Sequence, residues 1–555
     1  MPRIYPRIRL TGNDLLKRIG VIHSQILNDL LMKVDEGGGD YEKGFFHTST
    51  TTLTDPNYYP MMWSRDVGRG LIELARAGLT EDARSAADYI LKAGKSVDGD
   101  HYGRLIERFS GTHEIDGNVN VLLALYMVWR YGGQDRKTAR TYLDNALSVF
   151  DWLEGLSAAS PYGGLLSSKS ELSGNPDTEH FIYALFATYG ACVAALAYAA
   201  LAGICGDSPQ QSRLCQFSNR LTDAIKVYLI SKGPDGPQHT KTPPGVYLNG
   251  IDERTGKAAE TGDFGPEFDI SAWTRQLPFI QEVDVMEQLI QDGALLEANV
   301  NSYDYIKAEM ATGYFFRRYG FVSNTCFRGM GGRHDDTMAG YGQNFFTQAA
   351  LLSDDVNTYT KCLEGIARLA YDGDVVAPMT FDLNPWVMHE CFTYENYEQG
   401  LDHTFGRIGN ETLHIMHNPG DEGNLVQSAE TLKSLAIMAG ISARGDMLTI
   451  KPRFPWECET ADIADFPAPR PDGTMARISY RYQMDRVDNA FTLALRGLTG
   501  FSQVAVRLGP LPNVLCNEET LAADWTITRK YNASFAERNF PVTGDTLQVS
   551  LINQR

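Results

Sequence analysis

The sequence predicts a mainly α protein in which about a dozen helices form two concentric rings, followed by a small antiparallel β domain. Three observations lead there. Up to about residue 440, segment after segment repeats apolar residues at i, i+3 and i+4. Alternate segments differ in character, some apolar all round and others amphipathic, as an inner ring buried on both sides and an outer ring wetted on one require. After Gly440 the texture changes to short alternating runs separated by Gly, Pro and Asn, which read as strands.

Taken in order, the expected helices are 71–77, 119–131, 141–153, 180–203, 214–229, 283–296, 303–319, 342–352, 354–371 and 425–439. Thr80-Glu81-Asp82 and Ser353-Asp354-Asp355 look like helix starts with acidic first turns, and Gly78, Gly203 and Gly440 follow helices. The strand-like runs are DMLTIKPRFP, ARISYRYQM, NAFTLALRG, SQVAVRLGP, WTITRKY and TLQVSL. The stretch 461–473, rich in Pro and Asp, reads as a linker inside that region. The boundary falls near 441, giving a helical domain over 1–440 and a β domain over 441–555.

Composition narrows the function. Of 555 residues, 43% are hydrophobic and 21% charged, which suits a packed globular core and excludes disorder. Lys and Arg number 50 against 69 Asp and Glu, so the net charge is −19 and a nucleic-acid partner is not expected. The eight cysteines include no C-x-x-C pair and read as free buried thiols in a reducing compartment. The opening MPRIYPRIRLTGNDLLKR has no apolar signal core, so a cytoplasmic protein is expected. The uncharged run 181–206 is long enough to cross a bilayer, yet it is rich in alanine and has an acidic flank. A helix buried on every side is the better expectation, with no membrane partner.

The chemistry is expected in six long loops rich in aromatic, acidic, amide, Arg and His residues. Aromatic faces stack on the C–H faces of a pyranose, and carboxylates, Arg and amides bind vicinal hydroxyls, so this content suits a carbohydrate substrate. The first loop runs from Tyr58 through Trp63 and Arg65 to Asp66; the second carries Glu114, Asp116 and Asn118. In both, acids at a helix start also serve as caps. The third, 167–179, offers Glu171, Asp177 and Glu179, of which capping leaves Glu171 unexplained. The fourth carries Glu267, Asp269, Trp273 and Arg275. The fifth holds His334 and runs to Gln343. The last, 381–430, holds Trp386, His389, Glu390, Glu395, Glu398, His403, Glu411, His414, His417, Asp421, Glu422 and Gln427.

Four histidines in that last stretch invite a metal reading. There is no H-E-x-x-H and no cysteine pair at ligand spacing, so no metal is expected. No P-loop, no G-x-G-x-x-G after a strand and no G-x-S-x-G occurs, so no cofactor and no serine nucleophile is expected.

With Trp63-Ser64-Arg65-Asp66 before an early helix and Glu114-Ile115-Asp116-Gly117-Asn118 opening a later one, the chain over 40–440 resembles the six-hairpin glycosidases. These are (α/α)6-barrel glycoside hydrolases that include glucoamylases, trehalases and α-L-rhamnosidases. The resemblance implies an (α/α)6 toroid and binding of the terminal sugar by Trp63, Arg65 and Asp66, with Asp116-Gly117 matching an Asp-Gly that opens a later inner helix. It places the general acid just before an apolar inner helix, where the family has Trp-Glu and this chain has Ser170-Glu171. Phe268-Asp269-Ile270-Ser271-Ala272-Trp273 loosely matches a trehalase element, which makes Asp269 the other candidate acid and Trp273 a sugar contact. Gly340-Tyr341-Gly342-Gln343 matches a further helix start. The base of such enzymes is a Glu ahead of the last inner helix, which here is Glu411, with Glu422 in reserve. The β domain follows the toroid here, whereas in the family it commonly precedes it.

The family implies inversion: an acid protonates the leaving oxygen, and a carboxylate on the opposite face activates water. The two carboxyls then stand about 6.5–9.5 Å apart. Exo action on a short oligosaccharide is the expectation, with Glu114, His334, Gln343 and Trp386 as further sugar contacts. The alternatives are a polysaccharide lyase on a helical toroid, a sugar phosphorylase needing inorganic phosphate, and a glycan-binding protein without turnover. Whether the chain forms a homo-oligomer is left open.

Overall fold

The computed structural model of the chain describes residues 4–48, 62–94, 115–170, 180–237, 240, 242–258, 292–311, 314–322, 337–369, 388, 391–393, 403–408, 411–416, 423–485, 490–511 and 524–552. Its helices are α1 (Asp14–Met32), α2 (Ser64–Arg76), α3 (Thr80–Tyr89), α4 (Ile115–Tyr131), α5 (Arg136–Ala159), α6 (Leu185–Cys205), α7 (Ser208–Tyr228), α8 (Gly293–Met310), α9 (Tyr314–Tyr319), α10 (Gly340–Leu352), α11 (Val356–Leu369) and α12 (Leu425–Ala439).

Five of these, α2, α4, α6, α10 and α12, are inner helices: α10 packs on α12, α12 on α2, α2 on α4 and α4 on α6. The others lie outside, with α1 against α12 and α2, α3 and α5 against α4, α7 against α6, and α11 against α10. Burial follows the rings. Apart from its last two residues α4 is buried throughout, whereas α5 buries only a stripe through Tyr142, Leu143, Ala146, Val149, Phe150 and Leu153. Helix α6 is long and apolar enough to cross a membrane, but nearly all of it is buried inside the protein. Caps set the ends: Asn13, Asp135, Asp207 and Asn424 each accept a backbone N–H of the following turn, and Gly206 and Gly440 close α6 and α12 in the left-handed conformation.

The inner helices α2 and α4 approach closely because of two glycines. A Cβ on Gly68 would meet the carbonyl carbon of Asn120 at 2.6 Å, and one on Gly117 would collide with Ser64 Oγ. Short strands lead into two inner helices. Strands β2 (Ser167–Ser170), β3 (His180–Ala184) and β4 (Gly250–Asp252) form a sheet, and β3 runs straight into α6. Strand β5 (Thr337–Ala339) pairs with β6 (Cys391–Thr393) and runs into α10, while the hairpin β7 (His403–Ile408)–β8 (Glu411–Met416) packs beside β6.

The C-terminal part is two five-stranded sheets built from β9 (Ile441–Arg444), β10 (Met447–Ile450), β11 (Thr460–Pro469), β12 (Met475–Asp485), β13 (Ala490–Arg496), β14 (Gln503–Leu508), β15 (Thr526–Lys530), β16 (Ala533–Pro541) and β17 (Thr546–Ile552). One sheet includes an N-terminal strand, β1 (Arg7–Thr11), which pairs with 460–464. Residues 7–11, expected in the helical part, thus lie in this sheet, and 461–473, expected as a linker, is mostly strand β11. Three further expectations change: the helix at 71–77 begins at Ser64, 180–203 begins as strand β3, and 303–319 is two helices, α8 and α9. Residues 283–291 lie outside the described residues.

The β domain is bolted to the toroid through Asp354, between α10 and α11, at a left-handed φ of 59°. Its carboxylate accepts from Arg453 Nε at 3.1 Å and from Arg507 Nη1 and Nη2 at 2.6 and 2.7 Å. Burial alone would raise its pKa, but the guanidinium groups of Arg453 and Arg507 hold it below the usual carboxylate value. Tyr359 Oη donates to the Phe454 carbonyl at 2.9 Å and Tyr480 Oη to that of Ala439 at 2.6 Å.

Candidate active site

Helix α2 starts at Ser64 after Trp63, whose backbone N–H donates to Thr48 Oγ1 at 3.3 Å. The Thr48 carbonyl in turn accepts from Leu425 N, the first residue of α12, at 2.7 Å, and Asn424 N donates to the Met388 carbonyl at 3.1 Å. Segments near 48, 63, 388 and 424 therefore meet at the N-terminal ends of α2 and α12. One helix over, Arg65 of α2 reaches the first turn of α4: its Nε donates to Asp116 Oδ2 at 2.5 Å and its Nη2 to Oδ1 at 3.4 Å. The two side chains are 19% and 10% exposed, which leaves the pair partly dry and at the surface of this end of the ring. Asp66 is buried in the first turn of α2, where a carboxylate favours the helix dipole. A planar guanidinium locked to a carboxylate offers a donor and an acceptor at fixed spacing, the geometry that reads a pair of neighbouring hydroxyls.

Of the sequence-derived site residues, the structure brings together Trp63, Arg65, Asp66 and Asp116. Gln343 is elsewhere. It is fully buried in α10, with Oε1 accepting from Val322 N at 2.9 Å and Nε2 donating to the carbonyls of Gly320 and Cys362, each at 3.0 Å. Both amide hydrogens are thus taken in fastening α10 to the 320–322 segment and α11, a packing role in place of the expected sugar contact. Glu411 is the first residue of β8, opposite Ile408, and the structure describes its backbone. Its hairpin lies beside β6, whose partner β5 runs into the N-terminal end of α10. Glu171 follows β2 directly but, like Glu114, Asp269, Trp273, His334, Trp386 and Glu422, lies outside the described residues. His403 and His414 are in β7 and β8; His389 and His417 lie outside. Among the described residues no group of three or more His, Cys, Asp or Glu could hold a metal.

Among solved structures, the chain is similar to the α-L-rhamnosidase of Streptomyces avermitilis complexed with L-rhamnose, at 13% identity and a TM-score of 0.52, over 98% of this chain and 42% of that one. The α-L-rhamnosidase of Dictyoglumus thermophilum gives 10% identity and a TM-score of 0.50, over 99% and 50%. The GH78 family rhamnosidase of Bacillus sp. GL1 gives 12% and 0.51, over 86% and 40%. The fold the chain shares with these structures is the (α/α)6 toroid. The likeness is one of fold, and the chain spans half or less of the length of these structures. No family model matches the chain, and no curated protein matches it.

Below the mouth of this toroid lies a feature absent from the sequence expectations. Arg69, Glu73 and Arg76 continue the Arg65 face down α2 and meet Glu430 and Lys433 of α12 and Gln348 of α10. All are buried or nearly so. Burial raises the Glu73 pKa against the pull of Arg76 and Lys433. Burial, reinforced by Arg69 and Arg76, lowers that of Lys433 far below the usual lysine value. The signal was present in the sequence: charged residues at 65, 69, 73 and 76 share one face of a helix whose remainder, after Ser64 and Asp66 in the first turn, is apolar or glycine. Such a stripe ordinarily marks a solvated face.

Proposed function

We propose that the protein is a glycoside hydrolase whose sugar pocket lies at the N-terminal ends of the inner helices. The observation that carries this reading is the Arg65–Asp116 fork, set across the N-terminal ends of two adjacent inner helices. Trp63 stacks on the C–H face of the terminal sugar, while Arg65, Asp66 and Asp116 take its hydroxyls. Glu411 removes a proton from a water whose oxygen attacks the anomeric carbon. The general acid, Glu171 or Asp269, gives its proton to the glycosidic oxygen as that C–O bond breaks. The product leaves with inverted configuration, and proton exchange with solvent resets both carboxyls. Room for the water requires the carboxyls to stand about 6.5–9.5 Å apart, and the acid needs a raised pKa. The substrate is a short neutral oligosaccharide cut from its end.

A panel of aryl glycosides and disaccharides, beginning with aryl α-L-rhamnosides, tests this, with proton NMR of the first anomer released. The inverted anomer is expected. Retained configuration overturns the water-activating role of Glu411. Dependence on inorganic phosphate or an unsaturated product reassigns the reaction to a phosphorylase or a lyase, and silence across the panel removes the hydrolase reading.

A further inference from the structure

The seams between inner helices are built in two ways. The α2–α4 seam is closed by glycine, backbone against backbone. The α2–α12–α10 seams are stitched by one carboxylate. Glu430 Oε1 pairs with Arg69 Nη1 of α2 at 3.2 Å, and its Oε2 accepts from Gln348 Nε2 of α10 at 2.8 Å, with the side chains of Arg69 and Glu430 6% and 1% exposed. Around it, Asn344 Nδ2 donates to Thr431 Oγ1 at 3.1 Å and Ser434 Oγ to Asn344 Oδ1 at 3.4 Å, so α10 and α12 are further tied by directional bonds. An apolar core would hold these helices more cheaply, because a buried ion pair rarely stabilises more than well-packed hydrophobic groups of the same size. What it adds is a fixed bearing. Arg69 lies one turn, about 6 Å, below Arg65, and Glu430 about 7.5 Å below the start of α12. A slip at that depth moves the mouth by a similar amount.

We propose that Glu430 is a positioning residue for the sugar site: its carboxylate clamps Arg69 and Gln348 and thereby sets the separation of the helix ends bearing Arg65, Asp66 and strand β5. The inference rests on the glycosidase reading of those helix ends. Its partner Arg69 also faces the Phe345 ring, 6.0 Å from the ring centroid, so both ends of the clamp are held by α10.

The test uses the full chain and the best substrate of the glycoside panel. Glu430→Gln keeps size and removes the charge; Arg69→Met with Glu430→Met replaces the pair by apolar groups of similar length. The double variant is expected to unfold at or near the parent temperature, yet to lose about tenfold or more in kcat with a much smaller change in KM, because an ångström of misplacement at the reacting atoms costs rate before binding. A purely structural pair would leave both constants at parent values once stability is restored, and that result overturns the inference. If the double variant fails to fold, parent kcat and KM in Glu430→Gln overturn it equally. A parent silent on every glycoside fails differently: it removes the sugar site, and the positioning role falls with it.

Discussion

The Arg65–Asp116 pair shows how little sequence distance matters to this site. The residues are 51 apart, and one fork of two hydrogen bonds joins them. The pair is also partly exposed, so its worth lies in orientation more than in stability. Burial sets a different behaviour at His23. This side chain of α1 is 3% exposed, its ring centroid 5.9 Å from that of Phe466, and its Nδ1 has no hydrogen-bond partner among the described residues. Burial lowers its pKa from 6.5 to about 4. The unfolded chain takes up a proton near 6.5 and the folded one only near 4, so stability is full above that window and falls as pH drops through it. The loss amounts to roughly 3 kcal/mol at the acid end. Urea titrations at pH 7 and pH 4 should show it in the parent, and His23→Leu should lose less over the same interval. Equal losses in both would show that His23 does not carry this part of the acid limb.

At the scale of elements, the ring is held by what is missing as much as by what is present. Glycine inside a helix normally costs about 1 kcal/mol relative to alanine. At Gly68 the sign inverts, because the new methyl meets backbone of α4, which cannot swing aside. Gly68→Ala is therefore predicted to destabilise the protein by about 1–3 kcal/mol in chemical denaturation, and an unchanged or raised midpoint would contradict the close α2–α4 packing. Helices of this kind were legible in the sequence because burial repeats every three to four residues: α4, α5, α7 and α12 fall where periodicity places them. Strand β11 was not legible. Pro467 and Pro469 made it read as a linker, yet β1 pairs only with 460–464, so beyond Ala464 that side of the strand is an edge where a missing N–H breaks no ladder. Strand β1 was hidden for another reason. Five residues of RIRLT carry no local sign that their partner lies more than 440 residues away.

For the whole molecule, toroid and β domain share a buried ionic joint. Asp354 pairs with two nearly buried guanidinium groups, and its lowered pKa means that it stabilises the fold above the unfolded carboxylate pKa and loses that contribution as acid protonates it. Asp354→Asn keeps the left-handed backbone, which asparagine tolerates, and removes only the charge. It is predicted to cost about 3–5 kcal/mol in urea unfolding, as expected when one partner of a buried pair is withdrawn. A loss under about 0.5 kcal/mol, the range of an ordinary surface substitution, would show that the joint is incidental. The site was legible only in part at this scale. Motifs at helix starts, Arg65-Asp66 and Asp116, pointed to one end of a ring because inner helices begin there. Gln343 was misplaced because a polar residue near a helix start looks the same whether it faces a pocket or clamps a neighbouring segment.

The claim on which all of this turns is that a carboxylate on the β7–β8 hairpin acts on a sugar held by the ends of α2 and α4. Glu411→Gln tests it most directly, measured as kcat on the best glycoside beside a thermal melt. The prediction is a loss of at least about a thousandfold with the melting temperature within a few degrees of the parent, since removing an essential catalytic group commonly costs that much or more. A folded Glu411→Gln variant that turns over glycoside at the parent rate would contradict it.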